Sequence, residues 1–234
     1  MMSRLATWAC LLGLMLPVAP AAPPDPPPEV SDLPLIEVPS HGTPSDTLAV
    51  LYSGDGGWTG LDKDVAAVLV DHGTGVVGVS SLRYFWKAKT PDGAAGDLER
   101  ILRHYMAAWN RSRVVLIGYS RGADVLPFLL TRLPADLRSR VALMALLGPG
   151  LQATFELHVT ELFVSPEEQL PILPEVKKAA GVRLLCVYGK DEPASLCHSL
   201  EPGSATLVGF DGAHHFGGSY AEIGEAILKQ LSPP

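Results

Sequence analysis

RVVLIGYSRG, residues 113–122, decides how this chain is built. Residues 113–119 are an apolar run of strand length, and residues 121–133 continue with helical character despite Pro127. Between the two lies Gly118-Tyr119-Ser120-Arg121-Gly122, a G-x-S-x-G pattern. A buried strand that turns directly into a helix through this pattern holds its serine at the apex of a sharp turn. The glycines are needed because the turn is too tight for side chains at those positions. The hydroxyl then stands at a helix N-terminus, where the dipole favours developing negative charge. Ser120 is the candidate nucleophile.

Outward from this turn, strand-like and helix-like segments alternate. Residues 33–38, 47–52, 75–79, 141–147, 183–188 and 205–210 read as strands, and several are apolar on both faces. Residues 61–72, 91–109 and 220–231 read as helices, the second with Thr90 as N-cap and Pro91 in its first turn. This predicts the α/β class: a mostly parallel sheet with helices on both faces. With the serine turn it predicts an α/β-hydrolase fold, whose reactive groups collect at the carboxyl ends of the strands. Residues 151–174 do not fit the alternation and read as an insertion or cap over the site.

The 234 residues suffice for one domain, and 47% hydrophobic against 18% charged residues is a globular balance. A net charge of −7 argues against nucleic acid as a partner. Residues 1–22 read as a signal peptide, with Arg4 before an apolar run at 5–16 and small residues Ala19, Ala21 and Ala22. Cleavage is expected after Ala21 or Ala22. Residues 23–32, rich in proline, read as an extended leader, and residues 33–234 as the domain. Export would change the meaning of the cysteines. Loss of Cys10 leaves Cys186 and Cys197, an even pair expected to form a disulfide. Neither has zinc-type neighbours, so no metal and no cofactor are expected.

A serine needs a base and an orienting acid, here expected in the order Ser, acid, His. The acid is placed at Glu192 in Gly189-Lys190-Asp191-Glu192-Pro193, with Asp191 as alternative. The base is placed in Asp211-Gly212-Ala213-His214-His215-Phe216, at His215 in preference to His214. Oxyanion donors are expected from the amide of Arg121 and from the Gly-rich turn after residue 52, at Asp55 or Gly56. Trp58, Tyr84 and Asp124 are candidate substrate contacts. Arg83 and Arg121 are candidates for a phosphate, and Asp55 and Asp124 for a cation.

SGDGGW, GVSSLRYFW, LIGYSRGADVLPF, RLPADLRSRVALMALLGPG, YGKDE and GAHHFGG together resemble the VirJ/AcvB family of bacterial virulence proteins over nearly the whole chain beyond the signal. AcvB-type proteins are longer, and this chain resembles their C-terminal hydrolase domain. The resemblance implies a periplasmic α/β-hydrolase acting on lysyl-phosphatidylglycerol. Ser120 would attack the lysyl ester and His215 would relay its proton. Arg121 departs from the apolar or aromatic residue expected there and points instead to the lipid phosphate. The partner implied is an aminoacylated phospholipid at a membrane surface. A different esterase or thioesterase, or a non-catalytic protein assisting secretion machinery, are the competing readings.

Overall fold

The computed structural model describes residues 27–157 and 169–231. The signal peptide and the first leader residues lie outside the described residues, as does part of the expected cap, 158–168. In chain order the elements are β1 (Leu35–Val38), β2 (Thr47–Tyr52), α1 (Gly60–Asp71), β3 (Gly75–Val79), α2 (Ser81–Tyr84), α3 (Pro91–Ala108), β4 (Arg113–Tyr119), α4 (Arg121–Arg132) and α5 (Ala135–Arg138). Then follow β5 (Val141–Leu147), β6 (Gln152–Ala153), β7 (Leu170–Pro171), α6 (Ile172–Lys178), β8 (Leu184–Gly189), β9 (Thr206–Phe210) and α7 (Tyr220–Leu231).

Seven strands form one sheet in the order β1-β3-β2-β4-β5-β8-β9. All pairings are parallel except β1 with β3. The chain has the α/β-hydrolase fold. Alternate residues of one strand feed opposite cores, which is why the central strands are apolar throughout. In β4, Val114 and Leu116 enter the core shared with α3 and α4. Val115 and Ile117 enter the core shared with α1 and α7. Each buried Leu or Ile contributes about 1.5–3 kcal/mol by leaving water. α3 begins as its sequence predicts: Thr90 Oγ1 accepts the Gly93 amide at 3.0 Å and Pro91 occupies the first turn.

One boundary changes. Residues 27–32 are not a free leader, because Val30 is buried and the Pro28 carbonyl lies 2.8 Å from His104 Nδ1 of α3. Asp32 pairs with Arg100. The packed domain therefore extends upstream of residue 33. Within 151–174, the described residues form the two-stranded pair β6–β7 and helix α6, separate from the main sheet. Cys186 of β8 and Cys197 are bridged, with Cα atoms 5.7 Å apart. The bridge closes the loop that carries Glu192 and stabilises by about 3 kcal/mol on chain-entropy grounds.

Candidate active site

Ser120 sits between β4 and α4 with φ 52° and ψ −119°. A non-glycine residue held there carries roughly 1–3 kcal/mol of strain, which the flanking packing must sustain. Its amide donates to the Leu147 carbonyl at 2.9 Å, and its carbonyl accepts the Asp124 amide at 3.0 Å, so the residue is fixed from both sides. The glycines do what the pattern requires. A Cβ on Gly118 would lie 2.4 Å from the carbonyl of Gly122, and a Cβ on Gly122 would lie 2.1 Å from the Tyr52 carbonyl oxygen.

The histidine at Ser120 is His214. Its Nε2 lies 2.8 Å from Ser120 Oγ and its Nδ1 lies 2.7 Å from Glu192 Oε1. A carboxylate only accepts, so Nδ1–H donates to Glu192 and Nε2 is left to accept the serine proton. His215, the residue preferred on sequence grounds, is exposed and faces elsewhere, with Nδ1 2.8 Å from the Tyr119 hydroxyl. Asp191 is exposed, and its amide donates to Gly212 O at 3.0 Å; Glu192 is the acid that reaches the imidazole.

Two close approaches bring these loops together. The Ala213 carbonyl occupies the space a Cβ on Gly189 would fill, at 2.1 Å. This seats the histidine loop directly on the start of the acid loop. Gly148, at φ +59°, leaves room for the His214 ring, whose Cε1 would be 3.1 Å from a Cβ there. On its other side the ring stacks on Tyr119, with centroids 5.4 Å apart and planes 29° apart. Tyr119 and Gly148 thus hold the imidazole, a role that residue type alone does not announce. The signal was present in the Tyr119 position of the serine pattern itself.

The turn after β2 abuts the serine: a Cβ on Gly54 would lie 3.3 Å from Ser120 Cβ. The amides of Asp55 and Gly56 have no acceptor among the described residues, and the Arg121 amide begins α4, where no carbonyl precedes it in the helix. The side chains of Asp55 and Arg121 pair with each other. Arg121 Nη1 also donates to the Thr154 and Glu156 carbonyls at 3.1 and 3.0 Å. Arg121 therefore ties the Gly-rich turn to the β6 segment, and neither charge stands free for a phosphate or a cation.

Three of the remaining candidates are engaged within the fold. Asp124 accepts the Gly150 amide at 2.7 Å and so braces the turn after β5. Burial pushes its carboxyl up to about 7, against the lowering by that amide. Trp58 packs across Gly78 of β3, where a Cβ would collide with its ring at 2.3 Å. Tyr84 is buried and donates to Asp97 Oδ2 at 2.7 Å. Arg83 is exposed on α2.

With this geometry in place, comparison with known proteins gives a family. The profile of bacterial virulence protein (VirJ) matches residues 46–233, a span that holds the serine, acid and histidine loops together. The chain belongs to the VirJ family. Comparison with curated proteins by sequence finds no match. Among solved structures, the chain is similar to an alpha-beta serine hydrolase homologue from Coxiella burnetii, with TM-score 0.59 and 16% identity over 85% of this chain and 91% of that one. It is also similar to MenH from S. aureus, with TM-score 0.60 and 14% identity over 84% and 97%. A third is Est1E from Butyrivibrio proteoclasticus with ferulic acid bound, at TM-score 0.58 and 12% identity over 88% and 98%. At such identities these neighbours speak for the fold that this VirJ chain shares with them.

Proposed function

We propose that this chain is an exported serine ester hydrolase whose substrate is the aminoacyl ester of lysyl-phosphatidylglycerol. The observation that carries the hydrolase reading is the continuous contact from Ser120 through His214 to Glu192. A protein that only binds a partner in the secretion machinery has no need of this ordered chain. The family and the motifs shared with AcvB-type proteins support the lipid substrate. The apolar N-terminal run and the Cys186–Cys197 bridge support export to the periplasm.

The geometry suits acyl transfer in two steps. Ser120 Oγ attacks the ester carbonyl while His214 Nε2 takes its proton, and Glu192 stabilises the imidazolium that forms. The oxyanion accepts hydrogen bonds from the amides of Arg121 and Asp55. Collapse breaks the ester bond, and His214 returns the proton to the leaving glycerol oxygen. Water, deprotonated by the same nitrogen, then attacks the acyl-serine and releases the amino acid. The lysyl ammonium groups must be met by groups other than the Asp55 and Asp124 side chains, which are already engaged.

The test is mass spectrometry of lysyl-phosphatidylglycerol vesicles incubated with wild type and Ser120→Ala. Release of free lysine by wild type, reduced about 10⁴-fold or more in Ser120→Ala, is expected. Equal turnover by both would remove Ser120 as nucleophile. Hydrolysis of a soluble p-nitrophenyl ester without turnover of the lipid would keep the esterase and discard the substrate.

A further inference from the structure

Among the described residues, four large apolar side chains are exposed, and two of them stand together beside the site: Leu82, 36% exposed, and Trp86, 59% exposed. They lie on α2 and the turn after it, at the carboxyl edge of the sheet. Leu82 borders the oxyanion turn, since a Cβ on Gly57 would lie 3.3 Å from Leu82 Cβ. Gly54 of that same turn abuts Ser120. Arg83 and Lys87 are exposed between and beside the two apolar residues, and all four line one open groove.

The charge of this patch runs against that of the chain. The net charge is −7, yet the acids around the patch are already taken. Asp97 is held by Tyr84, Lys89 and Arg100, Asp32 by Arg100, and Asp55 by Arg121. Arg83 and Lys87 have no acidic partner among the described residues, so the rim of the groove is positive. No helix among the described residues is long and apolar enough to cross a membrane, so any bilayer contact made there is peripheral.

We infer that Leu82 and Trp86, flanked by Arg83 and Lys87, form a docking surface for an anionic phospholipid bilayer, which turns the mouth of the Ser120 site toward the lipid. Trp86 is suited to the headgroup level, Leu82 to shallow insertion, and the two cations to lipid phosphates. This explains why solvent-exposed apolar residues are kept beside a site whose other aromatics are packed inside. The inference rests on the proposed function only for which lipid is cleaved.

Binding can be read without catalysis. Full-length Ser120→Ala is sedimented with phosphatidylglycerol/phosphatidylcholine vesicles and with phosphatidylcholine alone. Paired variants carry the same N-terminal segment, so only the patch differs. Binding to the anionic vesicles is expected. Adding Arg83→Gln with Lys87→Gln should weaken it about 30-fold and flatten its salt dependence. Adding Leu82→Ser with Trp86→Ser should weaken it about tenfold or more with an unchanged thermal melt. Equal binding to both vesicle types, no binding to either, or indifference to both double variants would overturn the surface. Because the readout is sedimentation, loss of the hydrolase reading leaves this result standing. Conversely, turnover of a soluble ester with no vesicle binding removes the docking surface alone.

Discussion

His214→Ala is expected to lower kcat for ester hydrolysis by about 10⁴-fold or more, whereas His215→Ala costs about fivefold or less. The two residues are neighbours in the chain and share their composition and exposure to solvent in part, so the contrast isolates geometry. His214 alone spans the distance from Ser120 Oγ to Glu192 Oε1, with contacts of 2.8 and 2.7 Å. Its removal leaves the serine proton with no acceptor, and water in the gap cannot reproduce an oriented base. The His215 side chain contributes a hydrogen bond with the Tyr119 hydroxyl, worth about 1 kcal/mol, and loose ring contacts with Tyr119 and His214. Because Tyr119 stacks on His214, a small loss of positioning accounts for the fivefold limit. Steady-state kinetics on a soluble ester checks both variants. A larger loss for His215→Ala than for His214→Ala would reverse the assignment.

Gly122→Ala is expected to destabilise the fold by about 3 kcal/mol, the upper end of overpacking in a dense core. The added methyl would meet the Tyr52 carbonyl oxygen at 2.1 Å, the Tyr52 carbonyl carbon at 2.7 Å and the Ser53 oxygen at 2.9 Å. All three are backbone atoms at the carboxyl end of β2, a central strand, and cannot swing aside as a side chain would. α4 must back away from β2, and Ser120 moves with it. The melting temperature should fall by roughly 6–12 °C for a domain of this size. Any folded fraction should lose activity about 10²-fold, the cost of misplacing a nucleophile by about 1 Å. Gly96→Ala is the control. Gly96 is exposed in α3 with nothing within 4 Å of an added Cβ, and alanine there should stabilise by about 0.5–1 kcal/mol. Calorimetry of the two variants checks the pair. Equal effects would mean that the elbow tolerates a wider turn than these contacts allow.

The contrast between the two glycines shows what was legible in the residues. A buried strand, a serine between glycines and a helix is a local pattern, and β4 and α4 start where RVVLIGYSRG says they start. β2, β3 and β5 are legible for the same reason: each is an apolar run bounded by turn residues. β6 and β7 are two residues each, too short for any period to register. The choice between His214 and His215 has no periodic signal at all. It depends on the turn closed by Phe216 N to Ala213 O at 2.9 Å, with Phe216 at φ 52° and Gly217 at φ 58°. That winding points His214 inward and leaves His215 outside.

The aromatics and charges failed differently. Whether Trp58 meets substrate or core depends on Gly78, twenty residues away, offering its ring a flat place on the sheet. By residue type Arg121 and Asp55 each suit a ligand of opposite charge, but they are neighbours in space and satisfy one another. Residue type marks what such groups can do. Only tertiary contact decides which of those options is already used.

The proposed hydrolase stands or falls with activation of Ser120 by His214. This activation is tested most directly by treating the protein with a fluorophosphonate and mapping the adduct by peptide mass spectrometry, which needs no knowledge of the natural substrate. The expected result is a single adduct on Ser120, absent from Ser120→Ala, slowed about 10³-fold in His214→Ala and nearly unchanged in His215→Ala. Wild-type protein with no adduct on Ser120, or His214→Ala labelled as fast as wild type, would contradict it.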